Sequence, residues 1–225
     1  MSSVFPKLRL VYFPVRARAE CARMIMAYGD IPYSDEDCAS FFGMSFADAK
    51  SCGKLPFGQL PVLQIDEKGP LIAQSGSINR YLASLVAKPG FLPDDKAALA
   101  YCDMIHETAQ DIARINPIVN KFRGEQFEAE KQEYFTNTLP PKLEALALQL
   151  ASKTFFCGDS VTYADFAVYH QFDLCRLIKP DIFEKYENVR QWMARVEKLP
   201  GVSNYLTKRP ECVGIGVDPK LKPKC

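Results

Sequence analysis

The fold of this chain is set by the stretch Phe57-Gly58-Gln59-Leu60-Pro61-Val62-Leu63-Gln64-Ile65 (residues 57–65). Pro61 stands directly before an apolar run, and proline is accepted in a β-strand at its first residue, so a strand is predicted to begin there. We expect the Leu60–Pro61 bond to be cis, which proline often adopts in a tight turn. The backbone N–H and C=O of Leu60 would then face outward, where an extended ligand can pair with them as an added strand.

A second strand and a helix are predicted to follow this stretch. Residues 66–70 favour a turn, Leu71-Ile72-Ala73 a short return strand, and Ser75 the N-cap of an amphipathic helix. The start of a helix offers free N–H groups and a positive field, which together attract carboxylates. Gln74 and Ser75 are therefore candidates for a carboxylate site, although Ser75 can also serve only to cap its helix.

The N-terminal residues predict the other wall of a site. Residues 8–13 favour a strand that Pro14 ends, and residues 16–20 open an amphipathic helix. Tyr12 then lies at the carboxyl end of a strand, and Arg18 lies in the first turn of the next helix, where it is also expected to brace the turn. Ligands of α/β sheets bind in the crevice beyond the carboxyl ends of the strands. Tyr12 and Arg18 are therefore predicted to line a ligand crevice.

Three segments in this order resemble the cytosolic glutathione transferases, nearest their sigma-like class. The segments are residues 12–20, residues 56–63 and the pair Gln74-Ser75. The resemblance covers nearly the whole chain. It implies a thioredoxin-like α/β N-terminal domain followed by an all-α C-terminal domain, in a homodimer that uses glutathione as its co-substrate.

Prolines and helical periodicity divide the chain into parts. A βαβ half, a long loop and a β-hairpin with a helix fill residues 1–87, the glutathione-binding domain. Residues 88–94, with two prolines and a glycine, predict a linker to an all-helical domain at 95–225 that contributes the electrophile site. One long helix is predicted over 95–119, bent or ended by Pro117, and a second helical stretch over 127–150 is expected to kink or break at Pro140-Pro141. The tail, residues 214–225, is expected either to be loose or to cover the site.

Composition indicates an ordinary soluble enzyme. Its 28 basic and 27 acidic side chains leave a formal net charge of +1, which favours neither a nucleic acid nor an anionic membrane as a partner. Apolar runs fall short of the ~18 residues of a membrane span, and residues 1–6 lack the apolar core of a signal peptide, so we expect a cytoplasmic protein. Eight cysteines show neither metal-type spacing nor a CxxC pair, which argues against a metal site. We expect free, mostly buried thiols, with Cys225 the most exposed.

Thr162 and Asp165 stand three residues apart at the start of an apolar helical run. At this spacing the Thr hydroxyl can accept from the N3 amide while the Asp carboxylate accepts from the N-cap amide, which is the capping box. Asp165 can also be interpreted as a catalytic acid, but its spacing favours the cap. The segment is therefore predicted to serve folding.

Tyr12 is the candidate that carries the chemistry. A thiol with a pKa of about 8.5 is roughly 3% ionised at pH 7, and the thiolate is the nucleophile. Lowering that pKa by about two units takes roughly 2.7 kcal/mol, which one hydrogen bond to a charged group, at about 1.5–3 kcal/mol, can supply. A Tyr12 tyrosinate base would need a phenol of pKa about 10 to ionise near neutrality, at about 4 kcal/mol. The hydroxyl is therefore predicted to donate to the sulfur, helped by the positive charge of Arg18.

The resemblance implies roles for further residues. Tyr12 and Arg18 are the implied catalytic residues, and the Leu60 backbone meets the cysteinyl unit while Gln74 and Ser75 meet the γ-glutamyl end. Trp192 is the only tryptophan and lies far from the position where the family has an indole. Phe46 is expected to replace that indole, with Lys50 or Lys54 supplying charge for the glycine carboxylate, unless these lysines are only solvated. The implied glutathione site comprises Tyr12, Phe13, Arg18, Phe46, Lys50, Lys54, Gln59, Leu60, Pro61, Gln74, Ser75 and the partner's Asp111.

The resemblance also implies a second-substrate site and an interface. A small hydrophobic electrophile would contact Phe13, Val15, Ala17, Ile112, Asn116 and His170. A lone histidine such as His170 is more often structural. Asp111 can also be a plain helix charge, and with Glu107 it makes only a weak candidate for a metal site. Phe57 resembles the aromatic residue that some members insert into the neighbouring subunit, or it is a buried anchor of its own loop.

The predicted function is transfer of glutathione to soft electrophiles, a detoxification reaction. A glutathione-dependent isomerase or hydroperoxide reductase on the same site is the alternative among enzymes. Outside enzymes, the same fold serves as an interaction module or as a lens crystallin. A scaffold has no need of Tyr12, Arg18, Gln74 and Ser75 together, which favours the enzyme.

Overall fold

The computed structural model describes residues 5–224, so Cys225 lies outside the described residues and its exposure stays a prediction. The chain divides into two compact units, Met1–Ala87 and Lys88–Cys225. Each unit has its own elements and its own buried side chains.

The first unit is built on a sheet of four strands. The strands are Leu8–Val11 (β1), Tyr33–Glu36 (β2), Val62–Ile65 (β3) and Leu71–Ala73 (β4). Their order is β2-β1-β3-β4, with β1 parallel to β2 and antiparallel to β3, and β3 antiparallel to β4. Leu10 opposite Leu63 and Val11 opposite Val62 are fully buried at the centre of the sheet. This mixed sheet confirms the thioredoxin-like α/β fold and the predicted hairpin.

The helices of the first unit are Glu20–Tyr28 (α1), Cys38–Phe42 (α2), Phe46–Ser51 (α3) and Ser75–Leu85 (α4). Single 3-10 turns lie at Ala17–Ala19 and Pro56–Gly58. β1 ends at Val11, two residues before the predicted end at residue 13, and an irregular turn then precedes α1. The predicted long loop holds α2 and α3, because the side chains of Asp37 and Ser45 accept from the amides of Ser40 at 2.8 Å and Asp48 at 3.1 Å.

The start of α4 differs by one residue from the prediction. Gln74 occupies the N-cap position in a positive-φ conformation (φ 73°), and Ser75 is the first helical residue. The prediction that Ser75 is the N-cap is therefore wrong. A non-glycine residue with positive φ costs on the order of 1–3 kcal/mol, and such strain is often found at functional sites.

The second unit consists mainly of helices, which confirms the predicted all-α fold. They are Lys96–Asp111 (α5), Ile115–Asn120 (α6), Gly124–Glu133 (α7), Leu139–Leu150 (α8), Tyr163–Ile178 (α9), Glu187–Glu197 (α10) and Val202–Lys208 (α11). A small antiparallel hairpin of Glu211–Val213 (β5) and Lys220–Lys222 (β6) follows them. The sequence did not predict this hairpin.

The predicted helix over 95–119 is two helices, α5 and α6. The break lies at residues 112–114, before Pro117, and the Tyr134 hydroxyl donates to the Ile112 carbonyl at 2.9 Å. Pro117 lies in the first turn of α6, where its missing N–H would have no helical partner. Pro140 and Pro141 lie in the first turn of α8, and the α-helical stretch is interrupted just before them by a π-helical segment, Tyr134–Thr138.

α9 begins with the predicted capping box. The side chain of Thr162 accepts from the N3 backbone, and the carboxylate of Asp165 accepts from the Thr162 amide at 2.8 Å. The same carboxylate accepts from the Phe156 amide at 3.0 Å and from the Trp192 indole N–H at 2.9 Å, in a fully buried position. Asp165 therefore ties the start of α9 to α10.

The tail of the chain packs against α7. The Gly124 amide donates to the Gly216 carbonyl at 2.8 Å, and Arg123 pairs with Asp218 at 3.1 Å. Gly216 has a positive φ of 78°, and a Cβ at this position would come within 2.7 Å of the Phe127 ring. The prediction of a loose tail is therefore wrong for residues 214–224.

Candidate functional site

Eight of the predicted glutathione-site residues line one cleft of the first unit. The cleft has a volume of about 260 Å³ and is lined by Phe13, Arg18, Phe46, Gln59, Leu60, Pro61, Gln74 and Ser75. These residues come from the turn after β1, the start of α3, the segment before β3 and the start of α4. Four separate parts of the sequence thus form one concave surface. The contact of each of these residues with glutathione stays a prediction.

Tyr12 lies directly after β1 and is not among the residues that line the cleft, although Phe13 and Arg18, which it contacts, are. Its amide donates to the Glu36 carbonyl at 2.9 Å, and its ring packs edge-on against Phe13 at 5.4 Å between centroids. Its side chain is buried, and its hydroxyl accepts from the Arg18 amide at 3.3 Å. Accepting that bond leaves the hydroxyl proton for an acceptor on a ligand.

The pKa of Tyr12 is raised above its ordinary value. Burial raises it, and the hydrogen bond from the Arg18 amide and the charge of the Arg18 side chain offset only part of that effect. A phenol with a raised pKa stays protonated near neutrality. Tyr12 can therefore act as a hydrogen-bond donor, and a tyrosinate base is disfavoured, as the sequence predicts.

The turn between β1 and α1 is braced by Arg23. The Arg23 guanidinium donates to the carbonyls of Val15 at 3.0 Å and Arg16 at 3.2 Å, and it pairs with Asp35 at 2.6 Å. It also pairs with the buried Glu20 at 3.3 Å. Arg18 has an exposed side chain and lines the cleft. The side chain that braces this turn is therefore that of Arg23, and the prediction that Arg18 braces it is wrong. The sequence signal for Arg23 is an arginine within the apolar run of α1.

The opposite wall carries two backbone features. The Leu60–Pro61 bond is cis, as predicted, and Leu60 is half-buried at the cleft. Ser75 is buried at the first residue of α4, so the free amides and the positive field of this helix end lie at the cleft. This end of the cleft is suited to a carboxylate.

The residues predicted for the glycine end fall into two groups. Phe46 lines the cleft and packs edge-on against Phe13 at 5.0 Å between centroids. Lys50 and Lys54 are exposed and lie outside the residues that line the cleft. The stem of Lys50 passes close to Gly58, where an added Cβ would lie 3.3 Å from it. Which of the two lysines meets a carboxylate stays a prediction.

Phe57 precedes this wall and is exposed to 79%. Its φ of 57° is left-handed, which is rare for a bulky residue. The hypothesis that it is a buried anchor of its loop is wrong.

The residues predicted for the second substrate lie in both units. Phe13 is exposed to 39%, Val15 is half-buried and Ala17 is buried in the first unit. In the second unit Ile112, Asn116 and His170 are buried. The Asn116 amide donates to Gln171 at 3.0 Å, and its oxygen lies 3.1 Å from His170 Nε2. Asn116 and His170 thus have structural partners within their own unit, and their contact with a substrate stays a prediction.

Asp111 lies at the last residue of α5 with an exposed side chain, where it pairs with Lys142 at 2.6 Å.

Within residues 5–224 there is no group of three His, Cys, Asp or Glu side chains that could hold a metal ion. No helix in the same range has the length and apolar character required to cross a membrane.

Comparison with known proteins identifies both units. Residues 6–84 match the family described as "Glutathione S-transferase, N-terminal domain", and residues 111–209 match "Glutathione S-transferase, C-terminal domain". The chain is 33% identical over 210 residues to the hematopoietic prostaglandin D synthase of Gallus gallus, covering 92% of this chain and 98% of the relative. It is 29% identical over 205 residues to a glutathione S-transferase of Dirofilaria immitis, covering 89% and 92%. Among solved structures, rat hPGDS complexed with a quinoline superposes with a TM-score of 0.77 at 29% identity, covering 92% of this chain and 98% of that one.

Proposed function

The chain belongs to the sigma-like glutathione S-transferases, enzymes that activate the glutathione thiol for conjugation, and we propose that the cleft of its first unit holds glutathione with the sulfur at Tyr12. The observation that carries the proposal is the state of the Tyr12 hydroxyl. The Tyr12 side chain is buried, its hydroxyl accepts from the amide of the cleft-lining Arg18, and its raised pKa keeps its own proton in place. A single such donor is worth about 1.5–3 kcal/mol to a thiolate.

The remaining cleft residues complete the fit to a tripeptide. The backbone of Leu60 pairs with the cysteinyl unit, and the start of α4 with Gln74 and Ser75 takes the γ-glutamyl carboxylate. The backbone of Gln74 supports this role. Its positive φ is strained, it lies at the N-cap of α4, and strained backbone is often found at ligand-binding sites. Phe46 covers the glycine end, and Lys50 rather than Lys54 supplies its charge, because the Lys50 stem lies over Gly58.

The second substrate is proposed to be a small, soft, hydrophobic electrophile, and the role a detoxifying one in the cytoplasm. Phe13, Val15 and Ala17 are the proposed contacts from the first unit, and Ile112, Asn116 and His170 those from the second. We propose residues 1–87 as the glutathione-binding domain, 88–94 as the linker and 95–225 as the domain that contributes to the electrophile site. An isomerase is the second candidate, because relatives at about one-third identity carry the name prostaglandin D synthase.

Side-by-side turnover tests this function. A chlorodinitrobenzene-type substrate, an organic hydroperoxide and a prostaglandin endoperoxide are compared at the same glutathione concentration. Conjugation is expected to dominate, with glutathione binding lost in a Gln74→Ala/Ser75→Ala double variant. If calorimetry detects no glutathione binding, the proposed site is wrong. If isomerisation is faster than conjugation, the isomerase is the better description of the function.

We further propose a homodimer in which the partner's Asp111 approaches the γ-glutamyl amine. The exposed, left-handed Phe57 supports an interface, since its strain and exposure have no evident use within one chain. Asp111→Asn should weaken glutathione binding, whereas Lys142→Gln, which breaks the same ion pair from the other side, should not. A fully active monomer by sedimentation at micromolar concentration contradicts the proposal.

A further inference from the structure

Tyr134 is fully buried in the second unit and contacts the break between α5 and α6. Its hydroxyl donates to the Ile112 carbonyl at 2.9 Å. In a continuous α-helix that carbonyl would accept from the amide of Asn116, four residues further on. Here the Asn116 amide donates to the Ala113 carbonyl at 3.0 Å, and the Ile112 carbonyl accepts only a long bond of 3.3 Å from the Ile115 amide. The Tyr134 hydroxyl therefore supplies the shorter of the two bonds described at the Ile112 carbonyl.

The Tyr134 hydroxyl also connects the break to α9. The Cys175 sulfur lies 3.6 Å from it, fully buried on α9. Burial raises the pKa of Cys175 to about 12 and also raises the pKa of Tyr134, so both groups keep their protons. A phenol has one proton to donate, and the Ile112 carbonyl can only accept it. The Cys175 thiol therefore donates to Tyr134, and Tyr134 donates to the break.

Arg114 holds the same break from the solvent side. Its guanidinium pairs with Glu130 at 2.7 Å and with Glu133 at 3.0 Å, both on α7. Glu133 directly precedes the π-helical segment, of which Tyr134 is the first residue. Exposed ion pairs stabilise little, so the buried bond from Tyr134 is the stronger of the two attachments.

Asn116 transmits the position of the break to α9. Its side-chain nitrogen donates to the Ala113 carbonyl at 2.8 Å and to the Gln171 side chain at 3.0 Å. Its side-chain oxygen lies 3.1 Å from His170 Nε2, and because an amide oxygen only accepts, His170 is the donor. Both amide protons and the oxygen of Asn116 are thus used within the unit. A shift of the break would move Asn116 and strain its bonds to His170 and Gln171.

We infer that Tyr134 is a positioning residue for the second substrate, a role that rests on the proposed function. Ile112, Asn116 and His170 are the proposed contacts of the electrophile from this unit. The Tyr134 hydroxyl bonds the first of them directly and, through the break, fixes the other two. The π-helical segment that begins at Tyr134 agrees with this role, since such segments are frequent at functional sites. With the side chain of Asn116 fully bonded, this wall would recognise the electrophile by shape.

Tyr134→Phe tests the inference, because it keeps the buried ring and removes the hydroxyl. The KM for a chlorodinitrobenzene-type substrate at saturating glutathione should rise roughly two- to tenfold, the range that corresponds to one neutral hydrogen bond. The kcat should change by less than about twofold, because the variant loses binding and not thiolate activation. Glutathione affinity by calorimetry and the pKa of the bound thiol from the pH–rate profile should equal those of the parent.

Tyr169→Phe is the matched control. Tyr169 is also fully buried in the second unit, but its hydroxyl donates to Glu197 of α10 at 3.0 Å. Its substitution should leave the electrophile KM unchanged, even where it lowers the stability in urea unfolding.

A double-mutant cycle tests whether Tyr134 acts through Asn116. Asn116→Ala alone should raise the electrophile KM. Adding Tyr134→Phe to it should raise the KM no further, because residues of one hydrogen-bonded network have non-additive effects. Additive effects, or an Asn116→Ala variant with the KM of the parent, overturn the inference.

The outcomes separate this inference from the proposed function. A parent chain that neither binds glutathione nor turns over the electrophile refutes both. A parent that turns it over, while Tyr134→Phe has the KM of Tyr169→Phe or loses glutathione affinity by the same factor, overturns the inference alone. If Tyr134→Phe fails to fold, Arg114→Gln decides, with an expected KM rise of about twofold. Its control is Arg190→Gln, which removes an exposed ion pair with Glu187 elsewhere in the unit, and equal KM values in the two overturn the inference.

Discussion

Replacing Tyr12 by phenylalanine tests the mechanism at a single atom. The ring is buried and packs against Phe13, and phenylalanine keeps both features. The substitution removes one hydroxyl, which accepts from the Arg18 amide at 3.3 Å and is proposed to donate to the glutathione sulfur. Among the described contacts of this hydroxyl, the free protein loses one hydrogen bond, the long one from the Arg18 amide. We therefore expect a loss of folding stability below about 1 kcal/mol.

The effect on rate should be much larger than the effect on stability. A hydrogen bond to a charged group contributes about 1.5–3 kcal/mol, and each 1.36 kcal/mol is a factor of about ten, so the thiolate-dependent rate should fall roughly ten- to a hundredfold. The pKa of the bound thiol should rise toward about 8.5. Since the thiolate is the form present above that pKa, the rise of rate with pH should move to higher pH in the variant. Glutathione affinity should change little, because its backbone contacts remain.

The assay is the pH–rate profile of conjugation together with thiolate absorbance of the bound glutathione. Tyr33→Phe is a matched control, because it removes a hydroxyl from β2 of the same unit, and no residue of β2 lines the cleft. Equal rates and equal thiol pKa values in Tyr12→Phe and the parent would refute the role of Tyr12. An affinity loss equal to the rate loss would assign Tyr12 to binding instead.

Three further predictions concern stability and assembly. Asp165→Ala should cost on the order of 3 kcal/mol or more in urea unfolding, because three buried donors lose their acceptor at about 1–3 kcal/mol each, and a curve that matches the parent contradicts this. Glu36 accepts two hydrogen bonds from the Arg9 guanidinium, which lower the pKa of Glu36 from 4.5 to about 2. The stabilisation from this ion pair is therefore present above pH 4.5 and is lost as the pH falls toward 2. Glu36→Gln should be less stable than the parent at pH 7, and the difference in unfolding free energy should disappear between pH 4.5 and 2. Phe57→Gly should relieve the left-handed backbone and stabilise the monomer by about 1 kcal/mol while weakening the dimer, and a variant that stays dimeric in sedimentation argues against Phe57 as an interface residue.

The sequence by itself determined the features that depend on neighbouring residues. The strand after Pro61, the return strand at 71–73 and the capping box of Thr162 and Asp165 are confirmed, because turn chemistry and capping act over a few residues. The periodicity of 95–119 predicts one helix, whereas the structure breaks it at residues 112–114, where the Ile112 carbonyl accepts from Tyr134, twenty-two positions away. The Ser75 boundary was wrong by one residue because the backbone of Gln74 takes a positive φ that its side chain does not signal.

Only the tertiary structure decided which distant residues share a surface. Arg23 and Asp35 brace the turn beside Tyr12 from different elements, and nothing in either segment alone signals the pair. The exposure of Phe57 and the contact of Lys142 with Asp111 are of the same kind. Charge pairing depends on distances of a few ångströms between side chains that the sequence separates by a dozen or more residues. Local propensity contains no information about such distances, and packing of the elements sets them.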